Sequence, residues 1–195
     1  GYRDAVIERD TIYNSANNDL DIDIRVSEGH KYYFGNIAWQ GNAKYPDSIL
    51  NQLLRINKGD VYNLDLLNKR LGTTMTPEGG DIMSLYQDQG YLFSQINPVE
   101  SKVYNDTIDY EIRITEGPVA TINKVPITGN DKTNEHVIRR ELRTIPGEKY
   151  NRDFIIRSQR EISQLGMFNP EKVAPKIQPN PDNGTVDEIG RASCR

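Results

Sequence analysis

Cysteine, histidine and tryptophan are nearly missing: of 195 residues one is Cys, two are His and one is Trp. With only Cys194, no disulfide framework can staple the chain, and its cysteine usage leaves the redox state of its compartment undetermined. His30 and His136 lie far apart, without neighbouring Cys, Asp or Glu at ligand spacing, which argues against a metal centre. Long apolar runs are absent too; the longest are three or four residues, against roughly 20 for a membrane-spanning helix. No basic cluster stands out among 24 Lys plus Arg and 28 Asp plus Glu, a formal charge of -4, so nucleic acid is a poor candidate partner. Gly1-Tyr2-Arg3-Asp4 has no signal-peptide profile, and the chain opens inside a pattern, which reads as a piece of a longer polypeptide.

The apparatus of catalysis is missing as well. No nucleophile is paired with a base, and no cofactor motif occurs. Asp21 and Asp23, like Asp109 and Glu111, alternate along strand patterns as a solvated face does. Glu78-Gly79-Gly80-Asp81 lacks the Lys and Ser/Thr of a phosphate loop. Asn105-Asp106-Thr107 and Asn183-Gly184-Thr185 fit a glycosylation pattern, but both sit where a hairpin turn explains the residues. The expectation is a protein that is not an enzyme and holds no cofactor or metal.

What the sequence has is repetition. Gly41, Gly59 and Tyr62 recur as Gly129, Gly147 and Tyr150, each 88 positions on. Phe34 to Asn42 answers to Ile122 to Asn130 in the same register, and Ser27-Glu28-Gly29 to Thr115-Glu116-Gly117. Gly1-Tyr2 lies 89 positions before Gly90-Tyr91, so the chain begins inside an earlier copy. Gly166-Met167-Phe168 matches Gly90-Tyr91-Leu92 at a displacement of 76, leaving the middle copy 12 residues longer, around Gly72 to Gly80. The domains read as a closing hairpin (1–29), a complete unit (30–117), a unit with most of its last strand lost (118–190) and a terminal tail (191–195).

Within the middle unit, Tyr33 to Trp39 predicts a half-buried strand ended by Gly41-Asn42. Ile49, Leu50, Leu53, Leu54 and Ile56 lie near the spacing of one helical face, starting at Pro46 or Asp47 and stopping before Gly59. A second helix follows Asn63, as its counterpart follows Asn151, because Asn accepts from free first-turn amides. In the middle unit Thr76-Pro77-Glu78-Gly79-Gly80 interrupts it. In the third it runs from about Arg152 to Leu165 with Phe154, Ile155, Ile162 and Leu165 inward. A hairpin closes the unit: Tyr91 to Val103, a turn at Tyr104-Asn105-Asp106, then Thr107 to Ile114 with alternating Ile108, Tyr110, Ile112 and Ile114 on one buried face. Arg3 to Ile12 and Leu20 to Val26 repeat it around a polar turn at Asn14 to Asn18. Tyr32, Tyr33 and Trp39 read as core or inter-unit packing.

Strand, two helices and a hairpin, closing on Glu-Gly and repeating in tandem, resemble the POTRA modules of the outer-membrane protein assembly factor BamA and its relatives. The carriers are Gly41-Asn42 with Gly129-Asn130, Gly59 to Asn63 with Gly147 to Asn151, Gly90-Tyr91-Leu92 with Gly166-Met167-Phe168, and Glu28-Gly29 with Glu116-Gly117. The resemblance covers about Gly1 to Ile189. It implies an α+β fold of tandem modules, each a small three-stranded mixed sheet covered by two helices. It also implies a periplasmic arm that binds unfolded outer-membrane proteins and docks accessory lipoproteins, attached to the outer membrane through a C-terminal barrel not in this sequence.

A small sheet with helices on one face leaves edge strands whose amides and carbonyls seek partners, and an extended client can supply them. The first strand of each hairpin is the candidate edge: Arg3, Asp4, Ala5, Val6 and Ile7 up to Glu8; Leu92, Phe93, Ser94, Gln95 and Ile96 up to Pro98; and Lys172 to Ile177. Pro170, Pro175 and Pro179 mark the third as an edge that binds poorly. Against this stand the bland reading, solvent-facing strands kept soluble by Arg3, Asp4, Glu8 and Gln95, and another class of function: a structural spacer or a polypeptide-transport module of a related secretion or division system.

Overall fold

The computed structural model describes residues 1–14, 19–74, 79–130, 133–168, 173 and 175–191. The polar turn at 15–18, the centre of the middle-unit insertion (75–78), Pro170, Lys172 and Cys194 lie outside the described residues.

The opening hairpin pairs β1 (Val6–Asn14) with β2 (Leu20–Ser27) as a two-stranded antiparallel ribbon, with a bulge at Glu8. The alternating apolar side chains of β2 are not buried as the pattern predicts. Leu20, Ile22, Ile24 and Val26 are each more than half exposed, because no helix of the described chain lies over them.

The middle unit shows what should cover such a face. Strand β3 (Tyr33–Gln40) leads to α1 (Asp47–Leu54), α2 (Leu64–Leu71) and α3 (Ile82–Asp88), and the hairpin β4 (Gln95–Tyr104) and β5 (Thr107–Thr115) closes it. The order is β3-β5-β4, with β5 central, parallel to β3 and antiparallel to β4. Asn105 and Asp106 form a two-residue loop, both with positive φ, the backbone a tight hairpin needs and Asn and Asp tolerate. The second helix is split in two, and each part has its own side-chain cap. Asn63 Oδ1 accepts from the Leu66 amide at 3.0 Å, and Asp81 Oδ1 from the Ser84 amide at 2.7 Å. Leu50, Leu54, Leu67, Leu71, Ile82 and Tyr86 bury themselves against Phe34, Ile108, Ile112 and Ile114. Inside this core the Tyr62 and Tyr110 hydroxyls meet at 3.1 Å, and the Tyr110 hydroxyl donates to Glu100 Oε1 at 3.1 Å. Burial pushes both Tyr86 and Tyr110 hydroxyls far above the usual phenol range.

The third unit repeats the plan with fewer residues. Its first strand is broken at Val125-Pro126 into β6 (Thr121–Lys124) and β7 (Ile127–Thr128), both parallel to β9 (Thr185–Arg191). Gly190 donates to the Pro126 carbonyl at 2.8 Å across the break. Strand β8 (Lys176–Asn180) flanks β9 on the other side. The expected loss of most of the closing strand is therefore corrected. β9 is seven residues against nine for β5, and it pairs on both sides. Above the sheet lie α4 (Glu135–Arg139) and α5 (Arg152–Gln164), the latter capped by Asn151 Oδ1 accepting from Phe154 N at 3.1 Å. Along α5, Ile155 and Ile162 are inward and Leu165 packs partly buried against the core, as the pattern predicts, whereas Phe154 departs from it at 39% exposed.

The pairings Phe34–Ile108 and Ile122–Val186 fix how the two central strands correspond, so Glu188 and Gly190 occupy the inward places of Tyr110 and Ile112. The substitution leaves a flaw. Glu188 is 1% exposed, and neither its Oε2 nor the nearby Thr144 Oγ1 has a hydrogen-bond partner. Beside them opens a pocket of about 300 Å³ with Ile138, Leu142, Ile155, Ile162 and Val173 in its wall. Burial pushes the Glu188 carboxyl up from its ordinary value.

The two joints between units are copies of one another. Tyr32 N donates to the Gly1 carbonyl and Ala120 N to the Gly90 carbonyl, both at 2.8 Å. Gly29 and Gly117 share φ of 68°, and a Cβ on either would stand 3.2 Å from a Cβ of the preceding unit, Asp4 or Phe93. The filling differs. Arg3 Nη2 meets Glu100 Oε2 at 2.8 Å and the Tyr32 hydroxyl donates to Asp4 Oδ2 at 2.7 Å at the first joint. At the second, Leu92 and Phe93 pack against the core of Ala120, Ile122, Tyr150 and Ile155.

Candidate polypeptide-binding edges

Which strand margins are free follows from the sheet order. β5 and β9 are paired on both sides, and the far side of β3 is occupied at its start by its own interhelical loop. Phe34 N donates to Asp60 O at 2.8 Å, Gly59 N to Phe34 O at 2.7 Å and Tyr62 N to Tyr32 O at 2.9 Å. Ile122, Gly147 and Tyr150 repeat this in the third unit. Among the described residues β4 pairs only with β5, β8 only with β9 and β1 only with β2. The first strand of each hairpin is thus a sheet edge.

The predicted residues divide. Val6 and Ile7 begin β1, and Gln95 and Ile96 begin β4, with Gln95 exposed and the Ile96 side chain buried. Arg3, Asp4 and Ala5 precede β1, and the first two are held at the joint. Leu92, Phe93 and Ser94 are not strand. The amides of Tyr91, Leu92 and Ser94 are spent in a turn, on the carbonyls of Tyr86, Gly90 and Tyr91. The Ser94 hydroxyl is buried against Met83 Sδ at 3.3 Å, and Leu92 and Phe93 serve the next unit's core. Lys176 and Ile177 lie in β8.

The part of the edge that sequence reasoning missed lies at the other end of each strand: Val99 to Tyr104 on β4 and Arg9 to Asn14 on β1. A signal was available, since the strands of a tight hairpin must both reach the turn, and the turn at Asn105-Asp106 is legible. Both edges carry protective features. Pro98 removes one donor from β4, and Ser101 forms a bulge whose hydroxyl donates to the Asp109 carbonyl at 3.3 Å. β8 has Pro179 within it and Pro175 just ahead of it; β1 has a bulge at Glu8 and no proline. The longest margin with a full set of amides is therefore β1.

Among the described residues no cluster of three or more His, Cys, Asp or Glu side chains is placed to hold a metal ion, and no helix is long and apolar enough to cross a membrane.

Comparison with known proteins places this architecture. The chain is 29% identical over 173 residues to the outer membrane protein assembly factor BamA of Neisseria meningitidis, covering 87% of this chain and 21% of that protein. Against BamA of Nitratidesulfovibrio vulgaris the identity is 26% over 189 residues, 96% of this chain and 23% of the relative. The chain thus spans between a fifth and a quarter of these relatives. In fold it is similar to POTRA3-5 of Haemophilus influenzae BamA, with a TM-score of 0.78 at 21% identity, covering 99% of this chain and 74% of that one. It is also similar to Haemophilus ducreyi BamA lacking POTRA domains 1-3, with a TM-score of 0.60 at 18% identity over 85% of this chain and 30% of that one. The family pattern described as "POTRA: Surface antigen variable number repeat" matches residues 32–117 and 120–188, the middle and third units, and the chain belongs to that family.

Proposed function

We propose that the chain is part of the periplasmic arm of an outer-membrane β-barrel assembly factor. It receives unfolded outer-membrane proteins by strand addition at β1 and β4, docks accessory lipoproteins and leads to a C-terminal membrane barrel in the intact protein. The observation that carries the reading is the recurrence of an unpaired margin on the first hairpin strand of every unit. Main-chain hydrogen bonds along such a margin give affinity with little demand on side chains, as a receptor for many barrel precursors requires. The relatives' names supply the context: the proteins that this chain resembles over most of its length are outer-membrane protein assembly factors. The units are taken as 1–29, 30–117 and 118–191, since Arg191, expected in the tail, is the last residue of β9.

Pro98 and the bulges at Glu8 and Ser101 favour a second reading, in which the edges are blunted and the units act as spacers. Titration with an unfolded barrel-strand peptide, followed by backbone amide shifts, separates the two. On the first reading saturable shifts appear along Glu8 to Tyr13 and along Val99 to Tyr104, with little change in β5. No saturable shift at either margin leaves the spacer. The β8 margin, interrupted by proline, is expected to respond least.

A further inference from the structure

Two charged residues stand at the wrong ends of their own helices. Asp88 is the last residue of α3 and Arg152 the first of α5, whereas a helix favours anions at its start and cations at its end. Their counterparts in the other unit are uncharged: Gln164 lies 76 positions after Asp88 and Leu64 lies 88 before Arg152, the displacements that relate the copies. Both charges meet at the seam between the middle and third units. Asp88 Oδ1 accepts from the Asp153 amide at 3.0 Å, and the Asp88 carbonyl accepts from Asn151 Nδ2, also at 3.0 Å. One residue of the middle unit thus takes up a first-turn amide of α5 and the spare donor of its cap. Burial holds the Asp88 carboxyl above its ordinary value, and the Asp153 amide and the Arg152 charge act against this.

Arg152 faces the segment by which the middle unit exceeds the third. A Cβ on Gly79 would stand 3.3 Å from Arg152 Nη1. The same segment divides a helix. Where the third unit has one helix of 13 residues, α5, the middle unit has α2 of eight and α3 of seven. The division is tightly packed: a Cβ on Gly72, which ends α2, would stand 2.2 Å from Oδ1 of Asp81, the buried residue that caps α3. Just past Asp88 the units close on each other, since a Cβ on Gly90 would stand 2.7 Å from Lys149 Cγ and 2.9 Å from Val119 Cγ1.

We propose that the insertion of the middle unit is a clamp on the next unit: the stretch from Gly79 to Asp88 holds the first turn of α5 at two points, Arg152 and the pair Asn151 and Asp153, and makes the two units one rigid body. The charges that each helix carries against its own dipole are accounted for by this role, because each serves the seam and not its helix. The clamp is independent of what the strand margins bind.

Residual dipolar couplings of the backbone amides, measured on the whole chain, test it. In the wild-type chain the middle and third units are expected to fit one alignment tensor. Asp88→Ala and Arg152→Leu are each expected to split the couplings into two tensors, while Asp88→Asn, which keeps an acceptor, retains one. Asp88→Ala is also expected to speed exchange of the Asp153 amide about fivefold or more, as loss of a capping bond implies. Deleting residues 73–80, which joins the end of α2 to the cap of α3, is expected to split the tensors as well. Should that variant fail to fold, as read by Trp39 fluorescence, the two substitutions carry the test. One tensor in both Asp88→Ala and Arg152→Leu overturns the clamp, even if the Asp153 amide speeds up, and so do two tensors in the wild-type chain. One tensor in Arg152→Leu alone overturns the part assigned to the insertion.

Discussion

Replacing Gly41 by alanine is expected to destabilise the middle unit by about 3–5 kcal/mol. The glycine ends β3 with φ of 83°, and a Cβ there would stand 2.1 Å from the carbonyl oxygen of Ile114, on the central strand of the sheet. Two penalties combine: a left-handed backbone that an L side chain resists, and a contact that cannot be relieved without moving β5. Gly59→Ala is the control. Its φ is 91°, but nothing lies within 4 Å of the added methyl, so only the backbone penalty of about 1 kcal/mol is expected. Trp39, the sole tryptophan, packs against the middle core with its Nε1 donating to Asn51 Oδ1 at 2.8 Å, so its fluorescence during urea unfolding reads this unit. Equal losses for the two variants would show that the close approach to Ile114 is immaterial.

The second large effect has the opposite sign. Glu188→Val is expected to stabilise the third unit by about 1–3 kcal/mol at pH 7.5, by removing a buried carboxyl with an unpartnered oxygen. The pH dependence follows from the direction of its shift. In the folded chain the carboxyl is held above its ordinary value, so at neutral pH the unfolded chain gains by ionising while the folded chain must bury a charge or keep the proton. The contribution of Glu188 to the third unit's stability is therefore fullest below about pH 4, where both states are protonated, and is lost as pH rises through the folded value. The advantage of the valine variant should shrink on going from pH 7.5 to pH 4, read by amide exchange in β9 and α5. An advantage that grows on acidification would mean that Glu188 is held by a partner as an anion.

The residues that announce the architecture in the sequence are those whose conformation is set locally. Gly41 and Gly129 mark strand ends because the backbone turns left-handed there, Asn63 and Asn151 mark helix starts because their side chains accept from the first turn, and Asn105-Asp106 marks a hairpin. Their recurrence gives the tandem plan without reference to any long-range contact. Features that depend on a second element were less legible. Leu92 and Phe93 look like the start of a strand because they are apolar and follow a glycine, yet their partners lie in the next unit's core, which no local pattern discloses. The ribbon β1–β2 has the alternation of a half-buried hairpin, but alternation encodes a tendency to be covered and the cover must come from elsewhere. At the edges, the sequence identifies the right strands from the order of elements alone. It misplaces their ends by several residues, because hydrophobic pattern does not reveal where turn hydrogen bonds stop and ladder hydrogen bonds begin.

The duplication of the joint reaches beyond any single unit. When successive blocks meet through the same backbone bond, with glycine torsions of 68° at both seams, the local path by which the chain crosses from one block to the next is set before any side chain is placed. The side chains that fill the two seams differ, an ion pair and a tyrosine–carboxylate bond at one and packed apolar groups at the other, so sequence can tune the stiffness of each crossing without redrawing the crossing itself.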